Sequence, residues 1–312
     1  MKLIIQIPCY NEEKTLHTTL QDLPKSIDGI DAIETLVIDD GSTDRTLEVA
    51  RAGGVNHIVS FRENRGLADA FAAGIEKCLE LGADIIVNTD ADNQYDGKDI
   101  CKIVSPILQG QADVVVGDRQ TDKMKHFSLT KRCLQRFGSA FVRRLSNLSV
   151  GDAVSGFRAY SREAAMRINI LTDFSYTVEN LIQLGSERLK IVSVPVRINE
   201  PLRKPRLHRG TLNFISNQAR TIVRSYSMYK ALKVFTGIGF LFLLPGLLLG
   251  LRFLYFFLFT PTKAVGHIQS LILAAVLIII SFIFFMLGII ADLISDNRKL
   301  IERLVFYHRK KL

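Results

Sequence analysis

The sequence predicts an α/β fold, in which a mostly parallel sheet carries helices on both faces, followed by a membrane-embedded C-terminal part. Through residue 117, short apolar runs rich in β-branched residues alternate with amphipathic stretches, a pattern typical of strand–helix–strand units. Short joints between these elements favour parallel neighbours in one sheet. Two later stretches, 232–259 and 268–291, are almost wholly apolar over more than the roughly 20 residues that a bilayer-spanning helix needs.

The predicted strands are the apolar runs, each of them short and bounded by polar turn residues. Those within the first 117 residues are Leu3–Ile7, Thr35–Ile38, His57–Ser60, Asp84–Asn88 and Asp113–Val116. A further strand is predicted later in the chain, at Leu189–Ile198.

Capping residues predict where the helices between these strands begin and end. Asn11 can cap the first helix and Ser42 or Thr43 the second, because their side-chain oxygens accept hydrogen bonds from free backbone N–H groups. The alanine-rich stretch Leu67–Leu81 is followed by Gly82, a residue type that commonly terminates a helix.

Two amphipathic helices are predicted between the sheet and the membrane-spanning part. Apolar residues at spacings of three and four predict one at Ser128–Leu148. A second apolar stripe with arginines beside it predicts a helix that lies on a membrane surface. The predicted domains are a sheet domain at 1–208, this interface helix at 209–231, two transmembrane helices within 232–291 and a basic tail at 292–312.

The formal net charge of +9 belongs to the C-terminal part of the chain. Residues 1–200 carry 24 basic and 28 acidic side chains, whereas residues 201–312 carry 16 and 3. Because the excess is confined to one end, a general nucleic-acid binder is a poor interpretation. Basic residues flank the two spans on their outer ends, and the loop between the spans holds only Lys263. The positive-inside rule then predicts that the sheet domain and the C-terminus lie in the cytosol.

The sharpest cluster of polar residues is Asp90-Ala91-Asp92, which directly follows a predicted strand. Two carboxylates there can share one divalent ion, and oxygen ligands favour Mg²⁺ or Mn²⁺. Gln94 offers a further oxygen, and such an ion would neutralise a diphosphate. Most Asp-x-Asp pairs are solvated turn residues or helix caps. The position at a strand end, where parallel sheets bind their ligands, is what favours the metal site.

Three further clusters of polar residues are candidates for a binding site, and two of them also follow predicted strands. Pro8–Glu13 comes after the first strand, Asp39–Asp44 after the second, and Ser155–Arg158 lies in a loop. A carboxylate in the second cluster can accept a hydrogen bond from a nucleobase N–H or from a ribose hydroxyl. The alternative is that Asp40 or Ser42 caps the next helix. Taken singly, the other two clusters are a capped turn and a glycine-containing loop.

Together these clusters resemble those of the family 2 glycosyltransferases, and within them the dolichyl- or polyprenyl-phosphate sugar synthases. The matching segments run in family order across residues 1–165: IPCYNEEKTL, VIDDGSTDRT, NRGL, DADNQ, VVGDR and SGFRAYSREA. The C-terminal hairpin fits the membrane-anchored members. The resemblance implies a GT-A type, Rossmann-like domain that binds a nucleotide-sugar and a divalent metal, and that transfers the sugar to a lipid phosphate.

The resemblance also implies roles for individual residues. Nucleotide-sugar contacts are expected from Pro8, Tyr10, Glu12, Asp40, Asn64, Asp90, Arg203 and Arg206. The metal ligands are expected to be Asp90, Asp92 and Gln94, of which Asp92 also counts among the catalytic residues. Arg119 matches a family arginine that binds the acceptor phosphate. A second such arginine lies on the following helix, where Arg136 is preferred to Lys131 and Arg132. Asp152 could orient the acceptor.

Departures from the family pattern leave the donor open. Many members have Leu where Asn93 stands and His or Asp where Tyr95 stands. A UDP-hexose is favoured, and GDP-mannose remains an alternative. The chain has no Trp, so the QxxRW motif of processive polysaccharide synthases is absent and a single transfer is expected.

The charges of the two substrates suggest a mechanism. A lipid monophosphate is anionic at neutral pH, so it can attack the anomeric carbon without a strong general base. The enzyme must offset repulsion between two anions, for which arginines and a metal ion are suited. In-line attack would invert the anomeric centre and give a β-linked product. The alternatives are transfer to another membrane acceptor, such as a glycolipid or glycan, and an inactive membrane scaffold of the same fold.

Overall fold

The computed structural model describes residues 1–120, 151–170, 176–187, 189–200, 230–259 and 268–311. The chain forms two compact units, one made of Met1–Ser225 with Glu302–Leu312 and the other of Tyr226–Ile301. The predicted helix at Ser128–Leu148 and nearly all of the predicted interface helix at 209–231 lie outside the described residues. The predicted domain boundaries at 208, 231 and 291 stay predictions.

Seven strands form one sheet in the first unit. They are β1 (Lys2–Cys9), β2 (Ala32–Asp39), β3 (His57–Ser60), β4 (Ile85–Asn88), β5 (Val114–Asp118), β6 (Arg158–Ser161) and β7 (Ile191–Pro195). The described helices of this unit are α1 (Leu16–Gln21), α2 (Thr46–Ala52), α3 (Leu67–Glu80), α4 (Ile100–Leu108, preceded by a 3₁₀ turn at Gly97–Asp99), α5 (Arg162–Arg167) and α6 (Tyr176–Ser186). The two apolar helices are α7 (Ala231–Phe259) and α8 (Ile268–Arg309).

The strand order is β3-β2-β1-β4-β6-β5-β7. All neighbours are parallel except β6, which runs antiparallel to both β4 and β5. The predicted mostly parallel sheet is therefore confirmed, whereas the predicted loop at Ser155–Arg158 leads directly into an unpredicted antiparallel strand, β6. Since β6 is antiparallel, it begins at the edge of the sheet where its neighbours end.

Alternate residues of β1 pack into separate cores on the two faces of the sheet. Leu3, Ile5 and Ile7 belong to one buried cluster, whereas Ile4 and Ile38 lie in the other. Successive strand residues point to opposite faces, so a strand covered on both sides is a continuous apolar run. Helices thus cover both faces, as the sequence predicts.

Two of the predicted helix caps are wrong. Asn11 has a positive φ of 55°, and its Oδ1 accepts from the backbone N of Thr43 at 2.8 Å, while α1 begins only at Leu16. Ser42 does not cap α2, because Asp44 Oδ1 accepts from the first N–H of that helix at 2.9 Å. The side chains that resemble caps in sequence instead cross-link the loops after β1 and β2. The end of α3 near Gly82 is confirmed.

Helices α7 and α8 are each long and apolar enough to cross a membrane. Only 11% and 17% of their most apolar stretches are buried, so they do not resemble core helices of a soluble domain. Phe242 of α7 stacks on Phe284 of α8 with ring centroids 5.7 Å apart. Gly246 lies where an added Cβ would approach Ile278 to 3.0 Å. The predicted second span ended at Ala291, whereas α8 continues as one helix to Arg309.

The last residues of α8 belong to the sheet-containing unit. The guanidinium of Arg167 lies 4.6 Å from the centre of the Phe306 ring. Arg309 donates to the carbonyl of Ile168 and pairs with Glu76 at 3.2 Å. These contacts satisfy a carbonyl just past the end of α5, so the C-terminal residues are part of the packing of this unit.

Gly41 is expected to be essential for the loop after β2. Its φ is +69°, and a Cβ would lie 2.5 Å from the carbonyl carbon of Glu63. Strained φ and close approach together predict that Gly41→Ala destabilises the fold by about 1–3 kcal/mol. Gly54→Ala is the matched control, because Gly54 has φ +72° but nothing within 4 Å of an added Cβ. Thermal melts should show a larger loss of stability for Gly41→Ala than for Gly54→Ala. Equal losses would contradict the claim that a Cβ at Gly41 is crowded by the backbone of Glu63.

Candidate active site

The polar clusters found in the sequence meet at one edge of the sheet. Strands β1, β2, β4 and β5 run in the same direction and end at this edge. Strand β6, which is antiparallel to β4 and β5, begins there. The loops that follow β1, β2, β4 and β5 therefore lie on the same side of the sheet as the loop before β6. Carboxyl ends of strands are where open α/β sheets bind their ligands.

Asp40 organises the loop that precedes α3. The residue is only 3% exposed, and its carboxylate accepts from the backbone N of Arg65 at 2.7 Å, from Gly66 N at 3.0 Å and from Asn64 Nδ2 at 3.0 Å. Burial raises the pKa of Asp40, and the two backbone N–H groups act in the opposite direction. The structure thus brings the predicted nucleotide residues Asp40 and Asn64 together, with the carboxylate already holding the loop.

The other predicted nucleotide residues near β1 differ in their accessibility. Pro8 lies within β1 and is buried. Glu12 is buried as well, and its carboxylate accepts from Thr15 Oγ1 at 2.8 Å. Tyr10 is 45% exposed just past the end of β1. Of these three side chains, Tyr10 is the one that is open to a ligand.

Asp90, Asp92 and Gln94 occupy the turn after β4. Asp92 Oδ1 accepts from the backbone N of Gln94 at 3.2 Å, and Asn93 between them has φ 55°. Asn199, which follows β7, donates from its backbone N to the carbonyl of Gln94 at 2.8 Å. These bonds hold the turn compact, so both carboxylates stay on one short segment.

The electrostatics of this turn fit a divalent cation. Burial, and then the neighbouring carboxylate of Asp92, raise the pKa of Asp90 well above its usual range, while Arg119 acts in the opposite direction. A second positive charge beside the pair would relieve this repulsion. Within the described residues no group of three His, Cys, Asp or Glu side chains could hold a metal. The predicted donors on this turn are two carboxylates and the amide of Gln94, a set that would suit Mg²⁺ or Mn²⁺ completed by waters and substrate phosphates.

Arg119, directly after β5, pairs with Asp152 in the loop before β6. Its Nε donates to Oδ2 at 2.6 Å and its Nη2 to Oδ1 at 3.1 Å, a two-pronged geometry that fixes the plane of the guanidinium. Asp152 is nearly fully buried, whereas Arg119 is 20% exposed. The pair therefore presents a fixed, partly accessible guanidinium within electrostatic reach of Asp90.

The loop before β6 also packs against the carboxylate of Asp90, a contact outside the sequence predictions. A Cβ on Gly156 would lie 3.0 Å from Oδ1 of Asp90. The carbonyl of Gly156 accepts from Asn88 Nδ2 at 2.8 Å, and Asn88 Nδ2 also donates to the hydroxyl of Tyr176 at 2.9 Å. The polar Asn88 at the end of an otherwise apolar strand is the sequence feature that points to this contact.

Tyr95 links the same loops. Its ring stacks on Phe157 with centroids 4.8 Å apart, and its hydroxyl lies 3.4 Å from Ser155 Oγ. Burial raises the pKa of Tyr95 to about 12, so the phenol is neutral at physiological pH. Tyr95, which departs from the family pattern, therefore packs the turn after β4 against the loop before β6.

The remaining predicted site residues lie outside the part of the chain that the structure describes. They are Arg136, with its rivals Lys131 and Arg132, and the basic pair Arg203 and Arg206. Asn199, which holds the turn at Gln94, precedes that basic pair by only a few residues. Their predicted roles stay predictions.

Comparison with known proteins adds a family and several relatives. A family model described as glycosyl transferase family 2 matches residues 4–168. An uncharacterized protein of Methanocaldococcus jannaschii is 34% identical over 250 residues, covering 77% of this chain and 90% of the relative. A UDP-N-acetylglucosamine–dolichyl-phosphate N-acetylglucosaminyltransferase of Methanococcus voltae is 30% identical over 217 residues, covering 61% and 83%.

A solved structure with the same fold is glucosyl-3-phosphoglycerate synthase from Mycobacterium tuberculosis, in complex with Mn²⁺, UDP-glucose and phosphoglyceric acid. The TM-score is 0.55 at 22% identity, covering 72% of this chain and 78% of that chain. At this identity the likeness establishes the architecture of the sheet domain and its helices.

Proposed function

The chain belongs to glycosyltransferase family 2, and on that premise we propose that it transfers one sugar from a nucleotide-sugar to a polyprenyl or dolichyl monophosphate at a membrane surface. The observation that carries the proposal is the Arg119–Asp152 ion pair within electrostatic reach of the Asp90 carboxylate. A site for two anionic substrates needs positive charge at both. The name of the Methanococcus voltae relative, a dolichyl-phosphate glycosyltransferase, supports the acceptor.

Arg119 is the proposed acceptor-phosphate ligand. Asp152 already occupies Nε and Nη2, so the guanidinium is held in one orientation before substrate arrives, which lowers the entropic cost of binding. The phosphate oxygen carries its own negative charge and needs no base. A neutral hydroxyl acceptor would require a carboxylate base, and Asp152, the carboxylate next to Arg119, is committed to that arginine.

Asp90, Asp92 and Gln94 are the proposed ligands of Mg²⁺ or Mn²⁺. When bound, the ion supplies charge neutralisation of the donor diphosphate. Asp40 and Asn64 shape the proposed nucleoside side of the pocket, and the exposed Tyr10 is a further proposed contact. The proposed donor is a UDP-hexose, with GDP-mannose as the alternative, and Arg136, Arg203 and Arg206 remain proposed contacts of the substrate phosphates.

The proposed location is a bilayer, with the sheet domain and the C-terminus on the cytosolic side. The two apolar helices α7 and α8 are mostly unburied, and basic residues flank the spans on their outer ends. Holding the enzyme in the membrane that carries the lipid acceptor raises the effective concentration of that acceptor.

A labelled-sugar assay tests the proposed function. Membranes containing the chain are incubated with polyprenyl phosphate, Mn²⁺ and one labelled donor at a time: UDP-glucose, UDP-N-acetylglucosamine, other UDP-hexoses and GDP-mannose. The expected result is an acid-labile, lipid-extractable product with at least one donor. Absence of product with all of these donors, from protein that is shown to be folded, would overturn the proposal.

The stereochemistry is open to a direct check. In-line attack by the phosphate on an α-linked donor inverts the anomeric centre, so the purified lipid product is expected to be β-linked. NMR coupling at the anomeric proton distinguishes the two configurations for a gluco-configured sugar. An α-linked product would contradict single-displacement transfer.

Metal binding is expected to strengthen as the pH rises towards neutrality. A raised pKa means that Asp90 keeps its proton to a higher pH than an ordinary carboxyl, and that proton must leave before a cation binds. The affinity for Mn²⁺, measured by titration in the absence of substrate, should fall as the pH drops below neutral. In Asp92→Asn the neighbouring negative charge is gone, so the fall should shift to lower pH. An affinity independent of pH in the wild type would contradict this account.

A further inference from the structure

Arg158 is a buried cation, and its guanidinium donates to neutral oxygens. It begins β6, has no exposed surface and is among the largest of the fully buried side chains in the part of the chain that the structure describes. Its Nε donates to the carbonyl of Ser155 at 2.9 Å and its Nη2 to that of Ala153 at 2.9 Å. Its Nη1 donates to the carbonyl of Thr177 at 2.8 Å and to Asn180 Oδ1 at 3.3 Å. All three guanidinium nitrogens are therefore used.

These bonds fasten the loop before β6 to helix α6. Ala153 and Ser155 belong to the loop, whereas Thr177 and Asn180 lie on α6. Removing a charged group from water is costly, so a buried arginine is retained only where many of its N–H groups are satisfied. A hydrogen-bonded fork between a loop and a helix restricts the loop to one conformation.

The loop held by Arg158 contacts both Arg119 and Asp90. At its start, Asp152 holds Arg119 through two hydrogen bonds. Near its end, Gly156 packs beside the carboxylate of Asp90. Arg158 itself pairs in register with Asn88, the last residue of β4, which precedes the carboxylate turn. The side chain of Arg158 thus fixes the short segment that contacts both Arg119 and Asp90.

We infer that Arg158 is a positioning residue that sets the placement of the acceptor arginine relative to the metal carboxylates. The inference rests on the proposed function for its kinetic consequence, but the restraint on the loop stands on the hydrogen bonds alone. Arg158 touches neither substrate in this arrangement, because it is fully buried behind the loop. Its effect on the reaction passes through Asp152 and Arg119.

Lysine cannot replace this arginine. An ammonium has a single nitrogen, so it cannot reach the acceptors on the loop and on α6 from three fixed directions. Arg158→Lys therefore keeps the charge and loses the fork, whereas Arg158→Met keeps much of the length and loses both. A site that needs only a buried cation would tolerate lysine.

Arg162 provides a matched control on the next element. It opens α5 and donates from Nη1 to the carbonyl of Ala83 at 3.0 Å and to that of Leu79 at 3.4 Å. It therefore also ties backbone carbonyls together, but these carbonyls belong to the last turn of α3 and to the turn after it, not to the loop at the site. Arg162→Met should lower the melting temperature without changing the kinetics of either substrate.

The test combines hydrogen exchange with kinetics on the full-length protein in detergent, below the melting temperature of every variant. In Arg158→Lys, amide exchange in the peptide covering 152–157 should speed up, while Arg162→Met should leave that peptide as in the wild type. The KM for polyprenyl phosphate should rise by about 10- to 100-fold in Arg158→Lys, with donor affinity changed less than about 2-fold. If Arg158→Met does not fold, Arg158→Lys carries the test.

Two outcomes would overturn the inference: unchanged exchange at 152–157 in Arg158→Lys, or equal kinetic loss in the Arg158 and Arg162 variants. If no donor supports transfer even in the wild type, the proposed function fails. The exchange comparison still decides separately whether Arg158 restrains the loop.

Discussion

Replacing Asp92 with alanine is expected to lower kcat/KM for transfer by about 100- to 1,000-fold, with the protein still folded. The residue supplies one of the two carboxylates in the turn after β4, and its loss would leave Asp90 as the single charged ligand for the cation. In a water-poor site, charge neutralisation of a leaving diphosphate is worth several kcal/mol. The measurement is the rate of labelled-sugar transfer at saturating Mn²⁺, together with a thermal melt.

Asp96→Asn is the matched control for that experiment. Asp96 lies in the same segment, but its carboxylate pairs with Arg197 at 2.9 Å and caps the 3₁₀ turn through Lys98 N at 3.0 Å. Its removal should leave transfer within about 2-fold of the wild type, a range consistent with loss of a partly exposed ion pair. Full activity in Asp92→Ala would contradict the metal role, and equal losses in both variants would point to damage of the loop as a whole.

Replacing Arg119 with glutamate is expected to impair use of the lipid acceptor far more than donor binding. The change removes the proposed phosphate ligand and places a second negative charge beside Asp152, so kcat/KM for polyprenyl phosphate should fall by at least about 100-fold. Donor affinity, measured by nucleotide-sugar titration in the absence of acceptor, should change by less than about 3-fold.

Arg119→Met guards against misfolding caused by the two facing carboxylates, since it removes the charge without adding another. Arg167→Met is the matched control, because Arg167 also pairs with carboxylates, Glu163 and Glu187, both at 2.9 Å, but lies on α5 away from the site. It should lower stability and leave the acceptor KM unchanged. Equal loss of donor and acceptor affinity in the Arg119 variants would refute the proposed division of roles.

Much of the sheet could be predicted because its strands are buried on both faces. Such strands are continuous apolar runs, and the predicted Leu3–Ile7 falls inside the observed Lys2–Cys9. Polar clusters directly after these runs then had to share one edge, since the strands are parallel. The positions of Asp90 and Arg119 in the site follow from this reasoning.

The parts that could not be predicted depend on contacts between distant segments. Strand β6 is short and contains the buried Arg158, whose charge is satisfied by carbonyls that sequence alone does not bring near. Asn11 resembles a helix cap, but it bonds to a loop more than thirty residues away, at Thr43. Local patterns identify which side chains have capping chemistry, whereas the tertiary fold determines which backbone groups they meet.

The role of Asp152 is a further example. In sequence it is an isolated carboxylate before a glycine turn, and it is predicted to orient the acceptor. The structure gives it a specific partner, Arg119, through a two-pronged ion pair. Because the two residues are 33 positions apart, only the antiparallel insertion of β6 between β4 and β5 brings them together.

The most direct test of the central claim compares two acceptors that differ only in the phosphate. Polyprenyl phosphate and the free polyprenol of the same chain length are offered to the wild-type enzyme with the donor that gives product. If a guanidinium and a divalent cation bring two anions together, labelled lipid should form from the phosphate and remain at background with the alcohol. Equal transfer to both lipids would contradict the account.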